Sequence, residues 1–284
     1  MAAISQLIVF GDSLSDTGNA WALRGDAAFP CPPHWRGRRC DGPLWIEHLA
    51  EALGLPLPLH SLAGGSNQAF GGARSGEGFS VKGMPNLLRQ VEGFLCTSAA
   101  AEALVVLRAG ANDYLDTPST PAVGDALNRH LLAAIERLAA AGLRHFLVPS
   151  ELPWGFSPIR LPGLGEAERR GLNLLIARQN ALLQQALQDL AARRQLVVVQ
   201  PDFHALLLAV RADPKAHGFQ EVERPVLVTE PPSPGQGHPQ AVSAAPLGAG
   251  HLWWDDWAHL TTAFHRLLAA EALRSLQAGG VAAA

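Results

Sequence analysis

A serine and a histidine near opposite ends of the chain are of the types that together carry out nucleophilic catalysis. Ser13 follows the apolar run at residues 7–10, and His259 stands three positions after Asp256 in a DxxH arrangement. A serine hydroxyl becomes a nucleophile when an imidazole removes its proton, and a carboxylate on the other ring nitrogen orients that imidazole. We therefore predict that Ser13 is the nucleophile, His259 the base and Asp256 the acid that orients it.

Two neighbouring aspartates are candidates for the acid that orients the histidine. The chain contains eleven histidines, so spacing has to distinguish a catalytic one from the others. One local turn brings a carboxylate to an imidazole three residues later, which favours Asp256. Asp255 is one residue out of that register and is the alternative.

Polar residues follow short apolar runs at two places in the chain. The runs at residues 7–10 and 104–107 are typical of buried strands, and Ser13 and Asn112 come just after them. Open α/β sheets bind ligands at the carboxyl ends of their strands. The Asn112 amide could donate to a negatively charged reacting oxygen there, although an asparagine in a turn often only caps the local backbone. The serine itself could alternatively be a helix N-cap.

A glycine-dense loop at residues 64–76 lies between these two segments. Glycine lets the backbone approach a ligand closely and adopts positive φ without strain. The backbone of this loop could therefore approach a ligand closely; the alternative is a flexible surface loop. A phosphate cradle is a weaker interpretation, because neither GxGxxG nor GxxxxGK[ST] is present.

Strand-like and helix-like segments alternate along the chain. Strands are predicted at residues 7–10, 57–63, 104–107, 145–149 and 196–199, and helices at 43–53, 120–142, 166–193, 202–210 and from 261 onward. This alternation predicts an α/β fold with a doubly wound parallel sheet and helices on both faces. Residues 223–250, rich in Pro, Gly, Ala and Ser, are expected to form a long loop. No internal linker divides the chain, so we predict one domain over residues 1–284.

Composition excludes several other classes. The formal charge is -3, from 22 basic and 25 acidic residues, so no strong field favours nucleic acid. No apolar run reaches the ~20 residues of a transmembrane helix, and no signal peptide is seen. We expect a cytoplasmic protein, or a secreted or periplasmic one if the sequence was trimmed. The odd cysteine count favours reduced thiols, although Cys31 and Cys40 could pair. No metal-ligand spacing occurs, so no metal or cofactor is expected; the oligomeric state is left open.

Several sequence blocks together resemble the GDSL family of lipases and esterases, also called SGNH hydrolases. GDSLSDTGN at residues 11–19 is similar to the family's first block, NQAFGGARSG at 67–76 to its second, and GAND at 110–113 to its third. DDWAHLT at 255–261 is similar to its last block, usually DxxHPT, with Leu260 in place of proline. GRRCDGPLWIEHLAEALGL at 37–55 resembles the bacterial lecithinase- and hemolysin-like members, with Cys40 where these usually carry a small polar residue.

This resemblance implies a flavodoxin-like three-layer αβα fold with about five mostly parallel strands. It also implies an oxyanion hole formed by the N–H groups of Ser13 and Gly72 and the amide of Asn112. The implied activity is hydrolysis of carboxylic esters, lipid or simple acyl, through an acyl-enzyme intermediate and without a cofactor. An acyltransferase, a carbohydrate O-acetyl esterase and a non-catalytic lipid- or carbohydrate-binding relative are the alternatives.

Overall fold

The computed structural model describes residues 4–25, 29–96, 102–117, 119–158, 164–228, 250–255 and 257–281. Its sheet contains four parallel strands in the order β1 (Gln6–Gly11), β2 (Ala103–Arg108), β3 (His145–Leu147) and β4 (Val197–Val199). Every residue of β2 is buried. Because neighbouring strand residues point to opposite faces, both faces of the sheet must be covered. The predicted three-layer α/β architecture is confirmed.

Eight α-helices surround the sheet within the described residues. They are α1 (Asn19–Arg24), α2 (Trp45–Ala52), α3 (Leu87–Leu95), α4 (Ala111–Leu115), α5 (Pro121–Ala140), α6 (Glu166–Arg194), α7 (Phe203–Ala212) and α8 (Thr262–Ala278). Helix α8 packs against α2 and α7, while α5 packs against α3 and α6. The sequence pattern predicted α2, α5, α6, α7 and α8 to within a few residues. It did not predict α3, which begins soon after the glycine-dense loop.

The prediction of a strand at residues 57–63 is wrong. That segment ends in a 3₁₀ turn at Ser61–Ala63, and the chain then runs beside β1 with only an isolated bridge between Val9 and Asn67. The hydrogen bonds include Gln68 N to Val9 O at 2.7 Å. Pro56 and Pro58 lack the N–H groups that a strand ladder needs, which explains why no strand forms earlier. The glycine-dense loop is thereby attached directly to the edge of β1.

Three further expectations concern the periphery of the fold. Cys31 and Cys40 form no disulfide: the Cys31 sulfur accepts the Gly37 N–H at 3.3 Å, and the Cys40 thiol lies 3.4 Å from Asp41 Oδ1. Most of the expected long loop, residues 229–249, lies outside the described residues. No helix in the described part of the chain is both long and apolar enough to cross a membrane.

Candidate active site

The turn after β1 presents Ser13 at the carboxyl end of the sheet. Gly11 has φ of 152°, and a Cβ there would lie 2.0 Å from the carbonyl oxygen of Arg108 on β2, so the position requires glycine. Asp12 then shapes the turn, because its Oδ1 accepts the Leu14 N–H at 3.0 Å and its carbonyl accepts the Ser15 N–H at 3.0 Å. These bonds leave the Ser13 side chain at the tip of the turn.

The loop before α8 brings His259 to that serine. Nε2 of His259 lies 2.9 Å from Ser13 Oγ, although 246 positions separate the two residues in the chain. The loop is held in place by an antiparallel bridge between Trp253 and Leu260, and by a hydrogen bond from Trp254 N to His259 O at 2.8 Å. The predicted pairing of serine and imidazole is therefore present in the structure.

The carboxylate on the other ring nitrogen belongs to Asp255, which corrects the prediction of Asp256. His259 Nδ1 lies 2.7 Å from Asp255 Oδ2 and 2.9 Å from Oδ1. Oδ1 also accepts the backbone N–H groups of Trp257, Ala258 and His259 at 3.0, 3.3 and 3.2 Å. Asp256 itself lies outside the described residues. The one-turn rule failed because this segment is a loop, in which Ala258 has φ of 157°, and the carboxylate folds back over it.

The surroundings of Asp255 keep its carboxylate ionised. Burial raises its pKa, but the neighbouring His259 and Arg39 lower it by a larger amount, and the net result is a pKa well below the usual range. His34 remains neutral because burial lowers its pKa to about 4, and its Nδ1 accepts the Trp254 indole N–H at 2.7 Å. An ionised Asp255 can only accept at His259 Nδ1, so the ring proton sits there and Nε2 is free to accept from Ser13.

The three predicted oxyanion donors line one cavity of about 230 Å³ together with His259. Asn112 Nδ2 uses one of its N–H groups on the Ala73 carbonyl at 2.9 Å, which leaves the second available. Among the described residues, no acceptor takes the backbone N–H of Ser13 or of Gly72. Gly72 has φ of 88°, a conformation that favours glycine. The structure therefore gathers Ser13, Gly72, Asn112 and His259 as the sequence predicted.

A buried ion cluster behind the nucleophile was not predicted from the sequence. Arg108, the last residue of β2, places Nη1 2.8 and 2.7 Å from the two carboxylate oxygens of Asp12, and Nη2 2.7 Å from Glu151 Oε1. Glu151 also accepts the Trp154 indole N–H at 2.7 Å. Burial raises the pKa of Glu151, and Arg108 partly offsets that increase. An arginine ending an otherwise apolar strand was the one available signal, because a buried cation needs partners.

A second unpredicted cluster joins the two oxyanion segments. Asp113, next to Asn112, accepts the Ser75 hydroxyl at 2.6 Å and the Ser75 backbone N–H at 3.1 and 3.3 Å. The Ser75 oxygen also lies 2.9 Å from His130 Nδ1. Burial raises the pKa of Asp113 to about 6, although its hydrogen bonds from Ser75 act in the opposite direction. The pair ties the glycine-dense loop to α4.

Asp16 performs a similar task on the other side of that loop. Its carboxylate accepts the backbone N–H groups of Gly18, Asn19, Ala20 and Gly71 at 2.8, 2.6, 3.0 and 2.7 Å. Burial raises its pKa, and these four bonds counteract that increase. Asp16 therefore holds α1 and the glycine-dense loop together. Within the described part of the chain, its carboxylate forms no hydrogen bond with the Ser13 hydroxyl.

Comparisons with known proteins find relatives along most of the chain. The family described as GDSL-like Lipase/Acylhydrolase matches residues 7–272. A thermolabile hemolysin of Vibrio parahaemolyticus is 28% identical over 280 residues, covering 96% of this chain and 64% of the hemolysin. A phosphatidylcholine-sterol acyltransferase of Aeromonas hydrophila is 36% identical over 115 residues, covering 40% of this chain and 34% of the acyltransferase.

Structural similarity concerns the fold. A member of the lipolytic protein G-D-S-L family from Veillonella parvula superposes with a TM-score of 0.50 at 17% identity, covering 96% of this chain and 98% of that one. At this identity the likeness shows the fold alone. The match over residues 7–272 shows the family: the chain belongs to the GDSL-like lipases and acylhydrolases.

Proposed function

We propose that this protein hydrolyses carboxylic esters with Ser13 as nucleophile, His259 as base and Asp255 as the acid that orients it. The observation that carries the proposal is the position of His259, whose Nε2 lies 2.9 Å from Ser13 Oγ while Nδ1 is held by Asp255 at 2.7 Å. This distance is within the range needed for direct proton transfer from a nucleophile to its base. Family membership supports the same reaction class.

The reaction proceeds in two halves. Ser13 Oγ forms a bond to the ester carbonyl carbon as its proton passes to His259 Nε2, and Asp255 stabilises the resulting imidazolium. The Ser13 and Gly72 N–H groups and the Asn112 amide donate to the negatively charged oxygen of the tetrahedral intermediate. Collapse of this intermediate breaks the bond to the alcohol, which takes the proton from His259. Water then attacks the acyl group on Ser13 by the same route and releases the acid.

The size and lining of the cavity favour short acyl groups. Its volume of about 230 Å³ is below the ~300–1,000 Å³ of cavities that hold drug-sized ligands. Apolar side chains from several elements line it: Phe29, Met84, Leu115, Trp154 and Trp257. A simple ester with a short acyl chain fits this space, whereas a long chain would have to extend past the mouth.

Acyl transfer is the second candidate, because the aligned acyltransferase of Aeromonas is 36% identical over 115 residues. Both reactions share the acyl-enzyme, and they differ in whether water or an alcohol attacks it. Incubating the protein with a p-nitrophenyl ester and an added alcohol, and measuring acid and new ester separately, distinguishes them. A new ester that increases with alcohol concentration would favour transfer, and acid alone would favour hydrolysis.

The main test replaces Ser13 with alanine. Ser13→Ala should abolish hydrolysis of p-nitrophenyl butyrate and labelling by a fluorophosphonate, while circular dichroism stays unchanged. Ser5→Ala, at an exposed serine, is the matched control and should behave as wild type. In a series of acetyl, butyryl, octanoyl and palmitoyl esters, kcat/KM should be lower for the long acyl chains than for the short ones. Unchanged turnover in Ser13→Ala would overturn the proposal.

A further inference from the structure

A single lysine side chain contacts two of the three oxyanion donors. Lys82 Nζ donates to the Asn112 side-chain oxygen Oδ1 at 3.0 Å. Its aliphatic part passes over Gly72, since a Cβ built on that glycine would lie 2.9 Å from Lys82 Cδ. Lys82 also lines the cavity that contains Ser13 and His259. None of the chemical steps assigned above uses this side chain.

Hydrogen bonds hold the backbone at Lys82 in place, which fixes the position from which the side chain extends. Its N–H donates to Ser80 Oγ at 3.3 Å, and Gly83 N donates to Ser80 O at 2.8 Å, which closes a tight turn. Arg24 at the end of α1 donates to the Lys82 carbonyl. Beyond the turn, Asp116 Oδ1 accepts from Nζ at 3.2 Å and holds the ammonium beside Asn112.

The ammonium determines which way the Asn112 amide faces. An ammonium group carries only donors, so it can bind the amide oxygen but not the amide nitrogen. The opposite edge of the amide must then carry Nδ2, which donates to Ala73 O at 2.9 Å and retains one N–H. A flipped amide would face a cation with its own donors and leave the Ala73 carbonyl without one. Lys82 thus keeps a donor, and not an acceptor, available to the reacting oxygen.

The charge of Lys82 acts in the same direction. A cation at the amide oxygen polarises the amide and strengthens its N–H as a donor, as in other hydrogen-bond chains of low local dielectric. Asp116 offsets part of this charge, and the Arg74 guanidinium lies 3.6 Å from the same carboxylate, so Asp116 is shared between the two cations. A stronger amide donor stabilises the oxyanion more than the neutral ester, so it lowers the barrier without tightening substrate binding.

We propose that Lys82 is a positioning residue for the oxyanion hole, which fixes and polarises the Asn112 amide and packs against Gly72. The proposal rests on the ester hydrolysis proposed above. Because Lys82 acts through Asn112 in the transition state, its loss lowers kcat and leaves KM nearly unchanged. A lysine that only bound an anionic substrate group would raise KM instead.

The first experiment compares Lys82→Met with Lys215→Met on p-nitrophenyl butyrate. Methionine retains an unbranched side chain over Gly72 but removes the ammonium, and Lys215 is an exposed lysine elsewhere on the chain. Losing a whole oxyanion donor costs about 10²–10³-fold in kcat, so weakening one should cost about 10–100-fold. We expect that decrease in Lys82→Met with KM within about threefold of wild type, partial recovery in Lys82→Arg, and no change in Lys215→Met.

A double-mutant cycle makes the test specific to Asn112. In an Asn112→Ala background the amide is absent, so adding Lys82→Met should change kcat by less than about threefold. An equal decrease in both backgrounds, or a raised KM with normal kcat, would overturn the proposal. If Lys82→Met does not fold by circular dichroism, Lys82→Gln takes its place in the cycle. If wild type lacks esterase activity that depends on Ser13, the proposed function fails, which is a different outcome.

Discussion

Replacing Asp255 by asparagine tests the central correction that the structure makes to the sequence. Asp255 is 2% exposed and meets His259 Nδ1 through both oxygens. Its Oδ1 is also held by three backbone N–H groups, and an asparagine oxygen can keep those bonds. The new amide nitrogen then faces Nδ1 as a donor. His259 must respond by moving its proton to Nε2, where it can no longer accept the Ser13 proton.

The expected loss follows from that change of tautomer. In a serine protease the corresponding Asp-to-Asn replacement lowers kcat by about 10⁴-fold, and we expect about 10³–10⁴-fold here. At 1.36 kcal/mol per factor of ten, this is about 4–5 kcal/mol of transition-state stabilisation. The neighbouring replacement Asp256→Asn serves as the matched control and should leave kcat within about twofold, because both bonds found at Nδ1 come from Asp255.

The assay is steady-state hydrolysis of p-nitrophenyl butyrate, with active sites counted by a fluorophosphonate in the wild type. Thermal unfolding shows whether each variant folds. The reasoning would be refuted if Asp256→Asn lost the larger factor, or if Asp255→Asn stayed within tenfold of wild type while folded.

Three other predictions concern residues behind the site. Arg108→Met leaves two buried carboxylates without their cation and should lower the free energy of unfolding, measured in urea, by about 3–5 kcal/mol. The control Arg178→Met, at an exposed arginine, should lower it by at most about 1 kcal/mol. Equal losses in the two variants would contradict this prediction. Gly110 has φ of 148°, and a Cβ there would lie 2.2 Å from a buried carboxylate oxygen, so Gly110→Ala should cost more than about 2 kcal/mol. Gly54→Ala, where nothing lies within 4 Å, should cost about 1 kcal/mol, and the reverse ranking would be evidence against the steric argument. The pKa of Asp113 is raised to about 6 from 3.8, so its contribution to stability is present below pH ~4 and is lost as pH rises through 6. Compared with Asp113→Asn, the wild type should therefore lose up to ~3 kcal/mol between those pH values, and a constant difference in unfolding free energy would argue against a raised pKa.

The positions of two site residues could be predicted because strand ends in a parallel sheet meet at one edge. Ser13 and Asn112 follow β1 and β2, and these strands pair directly. Neither Gly72 nor His259 follows a regular strand: Gly72 was predicted from resemblance to a family block, and His259 from its spacing after an aspartate. The acid was misplaced by one residue because its position depends on loop hydrogen bonds, and local spacing in a sequence does not encode those.

Two contacts that support the site across long sequence distances could not be predicted. Lys82 meets Asn112 across 30 positions, and Arg108 meets Asp12 across 96. Neither pair has a periodic pattern, and each depends on how separate loops pack. The absence of a strand at residues 57–63 has a different cause. The segment is apolar, as strands often are, but Pro56 and Pro58 lack the backbone N–H groups that a strand would need.

The 246-residue separation between the two hydrogen-bonded atoms of Ser13 and His259 has a consequence for synthesis in the cell. The nucleophile is synthesised 246 positions before the base, so the two cannot pair until the ribosome has extended the chain past residue 259. Contacts of such sequence separation also form late during folding, because closing a long loop costs entropy before any bond repays it. The proposed activity therefore depends on a contact that forms late in folding.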